Sequence, residues 1–196
     1  MIRCDFHTHV LTPPAPDAAA LVSVSALPET RAPRQYWSLE LHPWHLPETW
    51  QGLPAAFLEQ LPQADAVGEI GLDRLRGPAM PVQLAYCRAA LEAARDGRKP
   101  VVFHCVRAFA ELLELVREIG CERKLLHGFH GSPAFLAEVR QHGFWVSGAE
   151  LASPDGSDCG LETDDRAETI AERYEAAGGD AAAEKLAANF QAFLGV

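Results

Sequence analysis

The segment Asp5-Phe6-His7-Thr8-His9 sets two imidazoles two residues apart at the end of a short apolar run. Alternate residues of a strand point to the same side, so His7 and His9 can converge on one ion. Imidazole is also the commonest protein ligand for zinc-like metals. Glu69 lies inside Val67-Gly68-Glu69-Ile70-Gly71-Leu72-Asp73, a carboxylate within an otherwise apolar run. Burying it costs free energy unless a cation stands close by, either a metal or an arginine such as Arg74 or Arg107. His104 ends the run PVVFH, His127 ends KLLH, and Asp164 ends CGLETD. Any one of these is an ordinary strand-end residue when taken alone. Together, four histidines with Glu69 and Asp164 suffice for two divalent cations sharing a carboxylate. Such a pair can clamp the attacking and leaving oxygens of a hydrolysis, with a metal-bound hydroxide as nucleophile. Neither a Gly-x-Ser-x-Gly elbow nor a reactive cysteine motif offers a protein nucleophile instead.

Eight short strands must carry these residues, expected at 2–7, 20–25, 36–41, 65–72, 100–104, 124–127, 143–147 and 159–163. Several are apolar on both faces, as parallel strands covered on both sides are. Pro81 opens a helix that Gly97 closes, and helical spacing runs from 108 to 119 and stops at Gly120. Ser132-Pro133 is an N-cap followed by a proline, opening a helix over 134–141. Two further helices, over 165–177 and 180–194, finish the chain. Prolines at 13, 14 and 16, and again at 28 and 33, exclude full helices between the first three strands. Residues 150–158 are too short and broken for one after the seventh.

The pattern is α/β: a single-domain (β/α)8 TIM-type barrel over residues 1–196, trimmed, with helices missing or stunted after strands 1, 2 and 7. Barrels of this kind typically run ~250 residues, with ~200 as the lower limit. The strands left bare call for another cover, and a homodimer is the expected one. The chain carries 17 Lys+Arg against 27 Asp+Glu, a net charge of −10, which argues against a DNA-coating or lipid-surface protein. An enzyme acting on nucleic acid stays open, because bound divalent cations reverse the sign locally. No apolar run approaches the ~20 residues that span a bilayer, and the N-terminus has no signal-peptide core. The 5 cysteines are scattered without a Cys-x-x-Cys, which reads as reduced thiols in a cytoplasmic protein.

DFHTH, ELHPWH at 40–45, GEIGLD at 68–73, PVVFHCVRA at 100–108, LHGFHGS at 126–132 and LETD at 161–164 occur in one order across most of the chain. In these stretches the sequence resembles the TatD-like metal-dependent hydrolases, within the wider amidohydrolase-type barrels. The resemblance implies that His7, His9, Glu69 and Asp164 hold one metal and that Glu69, His104 and His127 hold the second, with Glu69 bridging. It makes Asp164 and Glu69 the catalytic carboxylates, Asp164 also orienting or deprotonating the attacking water. His42 then lines the site, where it can contact a phosphate. Members of the family are commonly deoxyribonucleases working with Mg, Mn or Zn. Two departures stand out: LETDD replaces the usual ETD followed by a small residue and Pro, and Val106 replaces a basic residue, with Arg107 displaced by one.

Arg74 and Arg76 follow GEIGLD and are candidates for anion contact, against the simpler role of a solvated loop. Trp44 follows His42 on a presumed rim loop, where it could stack on a base as in single-strand binders. The expected activity is therefore a metal-dependent phosphodiesterase of deoxyribonuclease type, with two divalent ions (Zn, Mn or Mg) and DNA or a small phosphoester as substrate. Two rivals remain at this point: hydrolysis of another small ester or amide, and a metal-binding barrel serving as a non-catalytic scaffold.

Overall fold

The computed structural model describes residues 1–148, 158–179 and 183–196. One eight-stranded sheet runs in chain order: β1 (Arg3–Thr8), β2 (Ala18–Val24), β3 (Gln35–Leu39), β4 (Ala66–Asp73), β5 (Val101–Val106), β6 (Lys124–Leu126), β7 (Trp145–Ser147) and β8 (Cys159–Gly160). Parallel bridges Asp5↔Leu161 and Thr8↔Asp164 join the first strand to the last run, so the sheet closes into a (β/α)8 barrel. All eight expected strands are present, with ends displaced by at most a few residues.

Among the described residues the helices are α1 (Ala55–Gln60), α2 (Met80–Asp96), α3 (Phe109–Ile119), α4 (Pro133–Gln141), α5 (Ile170–Ala176) and α6 (Ala183–Leu194). No helix interrupts 9–17 or 25–34, where the prolines remove donors; the connection after β7 falls on residues 149–157, outside those described. Helix α1 was not expected: it is six residues long with one buried side chain, Phe57, too little for a helical period. Helix α5 starts five residues later than the apolar pattern suggests. Thr169 and Glu172 form a reciprocal capping box there, and that geometry sets the first turn. Ser132 caps α4 as expected, accepting from the Phe135 N–H.

The chain divides into two compact units. The first comprises Met1–Val22, Pro28–Tyr36 and Leu125–Val196, and the second Ser23–Leu27 and Trp37–Lys124. In the first, β1 alternates: Cys4 and Phe6 face the helices while Asp5 and His7 face the other way. Phe6 meets Phe190 of α6 edge-on, with centroids 5.2 Å apart. The Tyr174 hydroxyl of α5 accepts from the Cys4 N–H at 2.9 Å, which satisfies both groups in a buried place. Phe190 also meets Tyr36 at 5.6 Å. Part of the cover sought from a second subunit is thus supplied within the chain by α5 and α6.

In the second unit β4 is buried along its whole length and lies under α2, whose Tyr86, Cys87, Ala90, Leu91 and Ala94 form one apolar stripe. Small residues on β4 let β5 approach. At Gly71, with φ near +147°, a Cβ would collide with the His104 carbonyl, so glycine is what seats the His104 backbone against β4. None of the described helices is long and apolar enough to cross a membrane.

Candidate metal centre

In the first unit His7 is fully buried on β1, and His127 follows β6. Asp164 follows β8 in a left-handed backbone conformation, φ 55°, that Asp tolerates better than most residues. Backbone bonds hold it there: Asp164 N–H donates to the His7 carbonyl at 3.0 Å and His9 N–H donates to the Asp164 carbonyl at 3.1 Å. The Thr8 hydroxyl adds a third bond to the same carbonyl, at 3.2 Å. As a result Asp164 Oδ1 stands 3.6 Å from His7 Nε2 and 3.7 Å from His9 Nε2. The His7 and His127 rings are 4.4 Å apart, and donor atoms of His7, His127 and Asp164 all lie within 4.8 Å of one another.

Two carboxylates stand behind this group. Glu162 accepts from the Gly128 N–H at 2.8 Å and from the Ser147 hydroxyl, and reaches to 3.9 Å from His127 Nδ1. Asp5 accepts from the Thr163 hydroxyl at 2.6 Å and its N–H at 3.1 Å, and from the His7 N–H at 3.3 Å. Burial pushes the Asp5 carboxyl up from 3.8 to about 7, against the opposing pull of the Thr163 bonds. Orienting partners of this kind fix ring geometry and ligand basicity in metal sites.

The second unit gathers His42, Glu69 and His104, with donor atoms again within 4.8 Å. Glu69 is 1% exposed in the middle of β4, its N–H donating to the Ser23 hydroxyl at 3.0 Å. His104 Nε2 donates to Asp73 Oδ2 at 3.1 Å. That bond turns Nδ1 toward Glu69 Oε1, 3.4 Å away. In neutral His104 two acceptors then face each other, an arrangement that needs a proton or a metal ion between them. Burial disfavours the imidazolium, yet the bonds to Glu69 and Asp73 outweigh it and hold His104 above its usual pKa. Asp73 is shifted the other way: burial opposes its ionisation, but donors from Trp44, Leu75 and His104 prevail and lower its pKa.

His42 differs from its neighbours. Its Nδ1 accepts from the Trp44 N–H at 3.2 Å, so a neutral ring carries its proton on Nε2, which points at Glu69 Oε1 from 3.5 Å. That tautomer makes His42 a hydrogen-bond donor within the group rather than an electron-pair ligand.

Neither arginine named as a partner for Glu69 is needed for it. Arg74 pairs with Glu111 of α3, and Arg107 is exposed on a left-handed backbone, φ 54°. Arg76 lies over the Trp44 ring, its guanidinium carbon 4.3 Å from the centroid. The supporting carboxylates Asp5, Asp73 and Glu162 were not singled out as site residues from the sequence. The available signal was alternation, since Asp5 precedes His7 by two and Glu162 precedes Asp164 by two. Imidazole nitrogens beside buried carboxylate oxygens are a donor set suited to divalent cations.

A parallel (β/α)8 barrel with such groups on and just after its strands falls in the class of TIM-type barrels. The profile of the TatD related DNase family matches residues 6–156, and the chain belongs to that family. A protein named 3'-5' ssDNA/RNA exonuclease TatD from Erwinia tasmaniensis is 35% identical over 135 residues, 65% of this chain and 52% of that protein. Its namesake from Erwinia billingiae is 39% identical over 92 residues, covering 44% and 35%. The chain therefore spans about half the length of the curated relatives it matches, or less. Among solved structures, YJJV, a TatD homolog from Escherichia coli K12, superposes with a TM-score of 0.78 at 23% identity over 98% of both chains, a likeness of fold.

Proposed function

We propose that this protein is a metal-dependent phosphodiesterase acting on nucleic acid, with His7, His9, Glu69, His104, His127 and Asp164 as metal ligands. The observation that carries the reading is the approach of His104 Nδ1 to the buried Glu69 Oε1, 3.4 Å, with Asp73 holding the imidazole from behind at 3.1 Å. Family membership and the exonuclease names of the relatives point to the same chemistry. Two ions per chain, Zn, Mn or Mg, are the proposed complement. Divalent ions in such a site offset the charge that grows on phosphate oxygens and acidify water.

The chain's own residues take the remaining work. Asp164, partly exposed and flanked by His7 and His9, receives the proton of the attacking water at its carboxylate. His42 lines the site beside Glu69 and meets a phosphate oxygen there. Arg76 and Trp44 bind substrate, whereas Arg74, paired with Glu111, has its charge already offset.

Metal content by elemental mass spectrometry after metal-supplemented expression tests the site. Close to two ions per chain, falling sharply in Glu69→Ala, is the expected result; a metal-free wild type sinks the hydrolase reading. Release of nucleotides from single-stranded DNA or RNA, set against phosphomonoester and amide substrates, tests the bond.

A further inference from the structure

Trp44 does not behave as a core residue. It is 41% exposed, yet its position is held from two sides. The indole N–H donates to Asp73 Oδ2 at 2.6 Å, the same oxygen that receives His104 Nε2. Its ring stands nearly perpendicular to those of His42 and His104, with centroids 4.8 and 5.5 Å away. The loop carrying Arg76 is equally fixed. Gln83 Oε1 accepts from the Asp73 N–H at 2.7 Å, and its amide nitrogen reaches the carbonyls of Asp73, Arg76 and Pro78 at 2.8–2.9 Å. Asp73 Oδ1 accepts from the N–H groups of Leu75 and Arg76. At Gly77, φ +83°, a Cβ would collide with the Pro43 carbonyl, so this glycine lets the loop lie against the turn that bears Trp44. Against this rigid backbone the Arg76 guanidinium is exposed, and among the described residues its one recorded contact is the indole face.

We propose that Trp44 and Arg76 form a slot for an unpaired nucleobase, at the edge of the His42–Glu69–His104 group. This deepens the nuclease reading above and rests on it for the identity of the ligand. A base enters by replacing the guanidinium on the indole face, since base–aromatic stacking exceeds an exposed cation–π contact. The displaced Arg76 then meets the adjoining phosphate. A base inside a duplex has both faces covered by its neighbours, so the slot takes only single strands or frayed ends. The chain's net charge of −10 repels nucleic acid at long range, so base stacking rather than a basic field carries the affinity.

The test is equilibrium binding of a labelled octathymidylate to the full chain in calcium buffer. It is compared with an octamer whose bases are replaced by abasic sites and with a blunt hairpin duplex. Wild type is expected to prefer the base-bearing strand by ~10-fold or more, with a shallow salt dependence. Trp44→Phe keeps a stacking face but loses the N–H donated to Asp73, and retains most of that preference. Trp44→Ala abolishes it while circular dichroism stays native, and Arg76→Ala weakens both single strands. Equal preference in wild type and Trp44→Ala overturns the slot, as does absence of binding by wild type. Hydrolysis of the same strands with manganese separates the two readings. Slot-dependent binding without cleavage leaves the slot standing and removes the nuclease, while cleavage indifferent to Trp44→Ala does the reverse.

Discussion

Asp73 illustrates how one carboxylate organises several others' chemistry. A single oxygen orients His104 and anchors the Trp44 indole, and the other caps the loop that follows β4. Replacing Asp73 by Asn keeps the size but removes the charge and one acceptor oxygen. We expect metal affinity to fall by ~10–100-fold, measured by competition with a fluorescent chelator, while the fold persists. Asp5 makes a second prediction at this scale. Its folded pKa, about 7, exceeds its ordinary 3.8, so the folded state binds the proton more tightly than the unfolded one. The native state gains stability from this group as pH falls from about 7 toward 3.8, and loses that gain as pH rises through 7. In metal-stripped protein, the rise in Tm from pH 8 to pH 6 should flatten in Asp5→Asn. An unchanged slope would mean that Asp5 does not titrate there.

At the level of elements, the loop after β4 is held by a side chain from the first turn of α2 as well as by Asp73 at its own start. Gln83 is 1% exposed and occupied at both ends of its amide. Gln83→Leu removes these bonds and strands buried backbone groups, for a cost of about 1–3 kcal/mol in urea unfolding. It should also loosen Arg76 and raise proteolytic sensitivity at 74–78. In the first unit the short β8 is secured by α6, whose Asn189 donates to the Cys159 carbonyl at 2.9 Å. Helices here act as clamps on strand ends.

For the whole molecule, metal and folding should be linked. Glu69, Asp5 and Glu162 are buried carboxylates within or beside imidazole groups, and divalent ions compensate a charge that is otherwise costly to bury. Stripping the metal should lower Tm, and adding Mn or Zn back should restore it. At a hundredfold excess over Kd the stabilisation is about 2.7 kcal/mol. A Tm indifferent to chelator would count against the ligand set.

Strand existence, the histidines and carboxylates on or just after the strands, and the missing helices after β1 and β2 were legible from the sequence alone. They depend on local rules: apolar runs, proline's lost donor, and residue types that stand out against apolar surroundings. Helix α1 and the late start of α5 escaped because six residues carry no period and a capping box outweighs a weak apolar stripe. The sequence resemblance also named His7, His9, Glu69, His104, His127 and Asp164 together. It did not show which nitrogen of His42 bears the proton, that Arg74 is taken up by Glu111, or that Arg76 lies on Trp44. The two arginine contacts depend on groups remote in the chain, and the His42 proton on the geometry of the turn that brings the Trp44 N–H to Nδ1. Only the folded structure decides them, because a side chain's charge and protonation state answer to the groups the fold sets against it, which residue order alone does not give.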